Sequence, residues 1–313
     1  MRHTFPLICA LFLLAATGAA QHLPDTAIPE HYQITLAPDF GKENFVGDET
    51  LQIRVLKPTP SITLNALEIT FQDALIAQNG VKQAAKVTTD VDKQQATLTV
   101  PKLLAAGTAT IHIRYAGILN GDLRGFYLSK TEKRKYATTQ FENTDARRAF
   151  PSFDEPAFKA TFEVSAVIDQ GDIALSNMKV ASDTPGPGSG KHTVKFDRTP
   201  KMSSYLVALA VGDFECEEGA ADGIPVRVCG TPDKKGMGQF ALQAAEYSLH
   251  FYNRYFGIKY PYGKLDLLGN AGLCRRRNGE HRADYWARLL RVRRSQDLLL
   301  QYAEDRGTGG CRT

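Results

Sequence analysis

Phe162-Glu163-Val164-Ser165-Ala166-Val167-Ile168 puts an apolar residue at every second position. Successive side chains of an extended chain point to opposite faces, so this spacing gives one dry face and one wetter face, the pattern of a half-buried strand. The same period recurs at Tyr32-Ile34-Leu36, Leu51-Ile53-Val55, Leu98-Val100 and Ile111-Ile113-Tyr115. Turn-type clusters separate these runs, among them Gln78-Asn79-Gly80, Asn120-Gly121-Asp122 and the Pro/Gly/Ser segment Thr184 to Gly190. The pattern predicts a mainly β chain from Gln21 to about Ala220, built as an antiparallel sandwich or saddle.

Near residue 222 the period changes. After Thr231-Pro232-Asp233, apolar residues fall at Phe240, Ala244, Tyr247, Phe251 and Tyr255, a spacing of three to four that predicts an amphipathic helix over about 235–256. Asp233 or Thr231 is the expected N-terminal cap, and Gly257 the left-handed residue after the helix. A β domain over 21–221 followed by the start of a second domain over 222–268 is the expected organisation.

Composition bounds the class. With 43% hydrophobic and 23% charged residues in a 313-residue chain, a sizeable core is available and a disordered reading is excluded. Residues 1–20 carry Arg2 and His3, the apolar run Leu7 to Ala16, and Gly18-Ala19-Ala20. They read as a secretory signal cleaved after Ala20, which predicts a secreted or periplasmic protein, with an uncleaved N-terminal anchor as the alternative. No later segment is long and apolar enough to suggest a transmembrane span. Cys216 and Cys229 form either a small-loop disulfide or two free thiols. The net charge of +4 arises in residues 269–313, which hold ten Arg, no Lys and five acids, so it argues for no nucleic-acid-binding face on the body of the chain.

Chemistry concentrates in Gln140-Phe141-Glu142-Asn143-Thr144-Asp145-Ala146-Arg147-Arg148-Ala149-Phe150-Pro151-Ser152-Phe153-Asp154-Glu155-Pro156. This stretch resembles a signature of the aminopeptidase N family of zinc exopeptidases. Leu23-Pro24, Pro29-Glu30-His31-Tyr32, Gly47 and Tyr260-Pro261-Tyr262-Gly263-Lys264-Leu265-Asp266-Leu267-Leu268 extend the resemblance, in order, over about residues 21–268. It implies a β-saddle N-terminal domain followed by the first elements of an α+β, thermolysin-like catalytic domain.

The resemblance also assigns roles. An exopeptidase that removes N-terminal residues must hold a free α-ammonium, for which a fixed carboxylate is the natural device. Glu142 matches the family's amine-binding residue, and Gln140 matches the residue that lines the pocket for the first side chain; peptide N-termini are the implied partners. On an extended strand these two residues share a face. An ion pair with Arg147 or Arg148 is the structural alternative for Glu142. Asp154-Glu155 resembles a turn that fixes domain packing, and adjacent residues on extended backbone point apart, which argues against a catalytic carboxylate pair.

In the full-length family, two His and a downstream Glu hold zinc, a Glu activates its water and a Tyr stabilises the oxyanion. None can be placed here. The chain has no His-Glu-x-x-His, and no two of its seven histidines lie three to five residues apart. The expectation is an N-terminal fragment of a secreted zinc-dependent aminopeptidase that has no metal site or peptidase activity of its own. A non-catalytic β-sandwich module that binds peptides or a protein partner is the competing reading.

Residues 269–313 stand where the family's G-A-M-E-N loop is expected. Read one base later from Gly269, codon degeneracy permits such a loop, and residues 304–311 become compatible with K-T-V-A-L-V-V-A, similar to the family's approach to its zinc-binding helix. Arg312 cannot become the His that should follow. The tail reads as a frame-shifted segment, with an Arg-rich amphipathic helix lying on an anionic surface as the alternative.

Overall fold

The computed structural model describes residues 22–269, together with a short backbone pairing of Cys274–Arg275 with His281–Arg282. The expected signal segment and, apart from Gly269 and that pairing, the Arg-rich tail lie outside the described residues.

The chain runs through β1 (Ala27–Asp39), β2 (Asn44–Val55), β3 (Thr59–Asn65), β4 (Ile69–Gln78), β5 (Val81–Ala84) and β6 (Lys86–Asp90). The strands β7 (Gln95–Leu104), β8 (Gly107–Ile118), β9 (Gly125–Lys130) and β10 (Lys135–Gln140) lead into the 140–156 segment. Beyond it come β11 (Lys159–Asp169), β12 (Ile173–Ser176), β13 (Val180–Pro185), β14 (Lys191–Phe196), β15 (Met202–Ser203) and β16 (Leu209–Gly212). Then follow β17 (Glu215–Ala221), β18 (Ile224–Gly230), α1 (Gln239–Phe256) and β19 (Leu265–Gly269). The fold is mainly β, as the alternation predicts.

One large sheet has the order β13-β14-β11-β1-β2-β8-β4-β5, with β15 added to β11. Smaller sheets β3-β7-β6 and β12-β16-β10-β9 accompany it, and β17-β18-β19 forms another with α1 against it. Most pairings are antiparallel. The exceptions are β1 with β11 and β18 with β19, which run parallel and which alternation alone does not reveal.

Most of the dry faces meet in one large core, with two smaller apolar clusters beside it. Tyr32 of β1 stacks on its parallel partner Phe162 at 4.8 Å, and Phe150 meets both rings edge-on. The Tyr32 hydroxyl accepts a hydrogen bond from the Phe153 amide at 3.1 Å, so the 140–156 segment is tied directly to the centre of the large sheet. Gly47 is required by packing: a Cβ there would lie 2.1 Å from the Tyr115 ring.

One core residue breaks the apolar rule. Glu49 of β2 is fully buried, and neither carboxyl oxygen has a hydrogen-bond partner among the described residues. Burial, assisted by the neighbouring charge of Asp48, raises its pKa well above the ordinary carboxyl value. Below the unfolded-state pKa both states carry the proton and nothing is lost. Above it the unfolded chain releases a proton that the fold retains, so stability falls by up to about 1.4 kcal/mol per pH unit until the folded pKa is reached. Glu49→Leu is expected to flatten this decline. Urea denaturation from pH 4.5 to 7.5 checks it: a variant whose stability falls with pH as steeply as the parent's would contradict the assignment.

The second unit departs from expectation at the helix start. Thr231, Pro232 and Asp233 belong to a separate turn, in which the Thr231 hydroxyl donates to Asp233 at 2.6 Å, and the left-handed Gly236 interrupts the chain before the helix. Neither residue caps α1. The Gly238 amide and the Gln239 side chain instead donate to Glu217 of β17 at 2.8 and 2.5 Å, a tertiary contact in place of a local cap. Gly257 is left-handed at φ 64°, as expected of a helix stop.

The boundary expected at 222 falls in the turn of the β17–β18 hairpin, both strands of which contact α1. Cys216 and Cys229 face one another across this hairpin and are disulfide-bonded, which resolves the open alternative. The unit is fastened to β12 by Lys264, whose ammonium donates to the Ser176 carbonyl at 2.6 Å and to Asp266 at 2.5 Å. Burial opposes the Asp266 charge, but a two-pronged bond from Arg227 and the bond from Lys264 outweigh it and hold the carboxyl below its usual range.

Candidate functional site

Strand β10 ends at Gln140, opposite Gly125 of β9, and the chain then leaves the sheet. Phe141 stays in the core, where it meets Phe150 edge-on at 5.9 Å. Glu142 emerges into solvent, and its peptide bond to Asn143 is cis. The strand alternation expected to align Gln140 with Glu142 therefore stops between them. Both residues nevertheless line one polar cleft of about 620 Å³, together with Gln94, Leu123, Arg124, Asn143, Thr144, Asp145 and Arg148.

The turn beside this cleft is braced by a buried ion pair. Arg147 donates through Nε to Asp154 Oδ2 at 3.0 Å, through a terminal nitrogen to the Asp154 carbonyl at 3.0 Å, and to Gln94 at 3.1 Å. Asp154 is 1% exposed and also accepts from the Ser204 hydroxyl at 2.6 Å, while its amide donates to the Asn65 side chain. Glu155 points elsewhere: it accepts from the Leu23 amide at 2.6 Å and bonds His22. The two carboxylates thus act separately, as braces on the turn and on the start of β1.

Arg148 is likewise engaged, with Glu68 at 2.6 Å and Asp145 at 2.9 Å. Burial works against its charge, and these two carboxylates outweigh burial and raise its pKa. The alternative of a Glu142 pair with Arg147 or Arg148 is not realised, because both guanidiniums have other carboxylates. Glu142 has no ion pair among the described residues and faces solvent from the cleft wall.

Sequence reasoning did not single out Arg124, Leu123 or Gln94. The signal was present at one of them: Asn120-Gly121-Asp122 read as a turn, and Arg124 closes that turn. Both histidines weighed in the sequence have local partners. His31 is buried with Nδ1 on the Thr161 hydroxyl at 2.8 Å, and His250 lies on the outside of α1 with Nδ1 2.8 Å from Asp222. Among the described residues no group of three or more His, Cys, Asp or Glu is placed to hold a metal ion.

A second concavity of about 790 Å³ runs along α1, lined by Phe240, Ala244, Leu249, Tyr252, Phe256 and Tyr260 among others. It is apolar and carries no carboxylate.

Several β-sheets, joined through Lys264 to a three-stranded sheet backed by α1, define the class: a β-rich fold. The family described as Peptidase M1 N-terminal domain matches residues 28–206. The chain is 38% identical over 270 residues to Aminopeptidase N of Acetobacter pasteurianus, covering 85% of this chain and 75% of that protein. It is 40% identical over 251 residues to Aminopeptidase 2 of Candida albicans, and 37% identical over 256 residues to the puromycin-sensitive aminopeptidase of Caenorhabditis elegans. Each of these matches covers 79% of this chain but only 27% of the relative. The chain belongs to the M1 peptidase family and carries its N-terminal domain.

Proposed function

We propose that this chain is the amine-recognising N-terminal portion of a secreted, zinc-dependent aminopeptidase. Glu142 accepts the free α-ammonium of a peptide, and Gln140 lines the pocket for its first side chain. The observation that carries this reading is the cleft itself: an exposed carboxylate without an ion-pair partner among the described residues stands beside an amide, while Arg147 and Arg148 are committed to Asp154, Asp145 and Glu68. The names of the relatives, all aminopeptidases, support the same reading. The Cys216–Cys229 disulfide supports an oxidising compartment. No helix among the described residues is long and apolar enough to cross a membrane.

No hydrolytic step is assigned to the described residues. The purified chain with added zinc is expected to turn over no aminoacyl-arylamide, and measurable release of arylamine would contradict that expectation. Recognition is separately testable. Ala-Ala-NH2 is expected to bind in an NMR titration and its N-acetyl derivative is not, because acetylation removes the charge that Glu142 pairs with. Equal binding of both peptides would remove the ammonium reading. It would favour the second one, a peptide- or protein-binding module that uses the apolar groove along α1.

A further inference from the structure

The cleft holds a second charged group without a carboxylate partner. Arg147 and Arg148 are each held by acids, but Arg124 makes no ion pair among the described residues and lines the same cleft as Gln140 and Glu142. Its position is fixed by sheet register: Gly125, the next residue, is the direct partner of Gln140.

The backbone around Arg124 is built rather than loose. The Asn120 side chain accepts from the Asp122 amide at 2.8 Å and donates to the Arg124 carbonyl at 3.0 Å, while the Leu128 amide closes on the Asn120 carbonyl at 2.7 Å. Leu123 and Gly125, on either side of Arg124, both have left-handed backbone, at φ 56° and φ 68°. For leucine that conformation is strained, and such strain gathers at functional sites. On the far side, the Arg148 stem packs so closely on Gly125 that a Cβ there would lie 2.6 Å from it. The turn therefore fits against the cleft in one way and carries Arg124 with it.

We infer that Arg124 selects peptides whose first residue has an acidic side chain. With the α-ammonium on Glu142, the first side chain extends past Gln140 toward the strand neighbour of Arg124. A glutamyl or aspartyl carboxylate placed there gains a charge-assisted contact with a guanidinium, whereas a lysyl or arginyl side chain meets like charge. This inference rests on the amine-binding reading of Glu142.

The test uses this chain and two amidated probes, Glu-Ala-NH2 and Ala-Ala-NH2, so that the only carboxylate in play is the first side chain's. By NMR titration the parent is expected to prefer the glutamyl probe by about three- to fivefold, the scale of a part-exposed ion pair. In Arg124→Ala the ratio is expected to fall to about one, and Arg124→Lys is expected to retain part of the preference. A parent without preference, or an Arg124→Ala ratio equal to the parent's, would overturn the inference. Glu142→Gln separates the two ideas. If it weakens both probes equally while Arg124→Ala leaves the ratio intact, the selectivity idea alone fails. If Glu142→Gln changes neither affinity, or neither probe binds the parent, both fall.

Discussion

Asp154→Ala is expected to lower the free energy of unfolding by about 3–5 kcal/mol, the usual cost of leaving one member of a buried ion pair uncompensated. Asp154 neutralises Arg147, which is only 11% exposed, and also holds the Ser204 hydroxyl. Its removal leaves a buried guanidinium and a buried hydroxyl without their acceptor. The double replacement R147M/D154L is expected to lose less than Asp154→Ala alone, because it removes both charges together. Urea denaturation of the three proteins checks this. A loss below 1 kcal/mol for Asp154→Ala would show that the pair is not the brace of the 140–156 segment. The same brace serves the cleft, since Arg147 and Asp154 secure the turn that carries Asp145 and Arg148 in its wall.

Glu142→Gln is expected to weaken binding of free-amine peptides by at least about tenfold, in keeping with loss of a charged partner from a hydrogen bond. Glu142 is exposed and holds no ion pair among the described residues, so its replacement is expected to leave the free energy of unfolding within about 0.5 kcal/mol of the parent's. The contrast is diagnostic: a residue kept for folding would change stability and binding together.

Much of this architecture is legible in the residues themselves. Period-two runs such as Phe162 to Ile168 mark strands because one face of each is buried, and that local property survives in the fold. The parallel pairing of β1 with β11 is not legible in the same way. It joins His31 to Thr161 across most of the β domain, and a long-range partner leaves no trace in local spacing. The helix cap failed for a related reason. Thr231 and Asp233 satisfy each other in their own turn, and the donors at the start of α1 are served by Glu217 from another strand. Gln140 and Glu142 were visible through a motif, but strand alternation did not bring them together, since the strand ends at Gln140. Arg124 lacked any signal beyond its neighbouring turn, because its place in the cleft follows from sheet register.

The most direct test of the account is where a peptide lands. In an NMR titration with Ala-Ala-NH2, saturable shifts are predicted at Gln140, Glu142, Asn143 and Arg124, with the signals of Tyr252 and Phe256 on α1 unmoved. Shifts confined to the α1 groove, with the 140–145 segment silent, would contradict the account and make this a module that grips its partner through an apolar face.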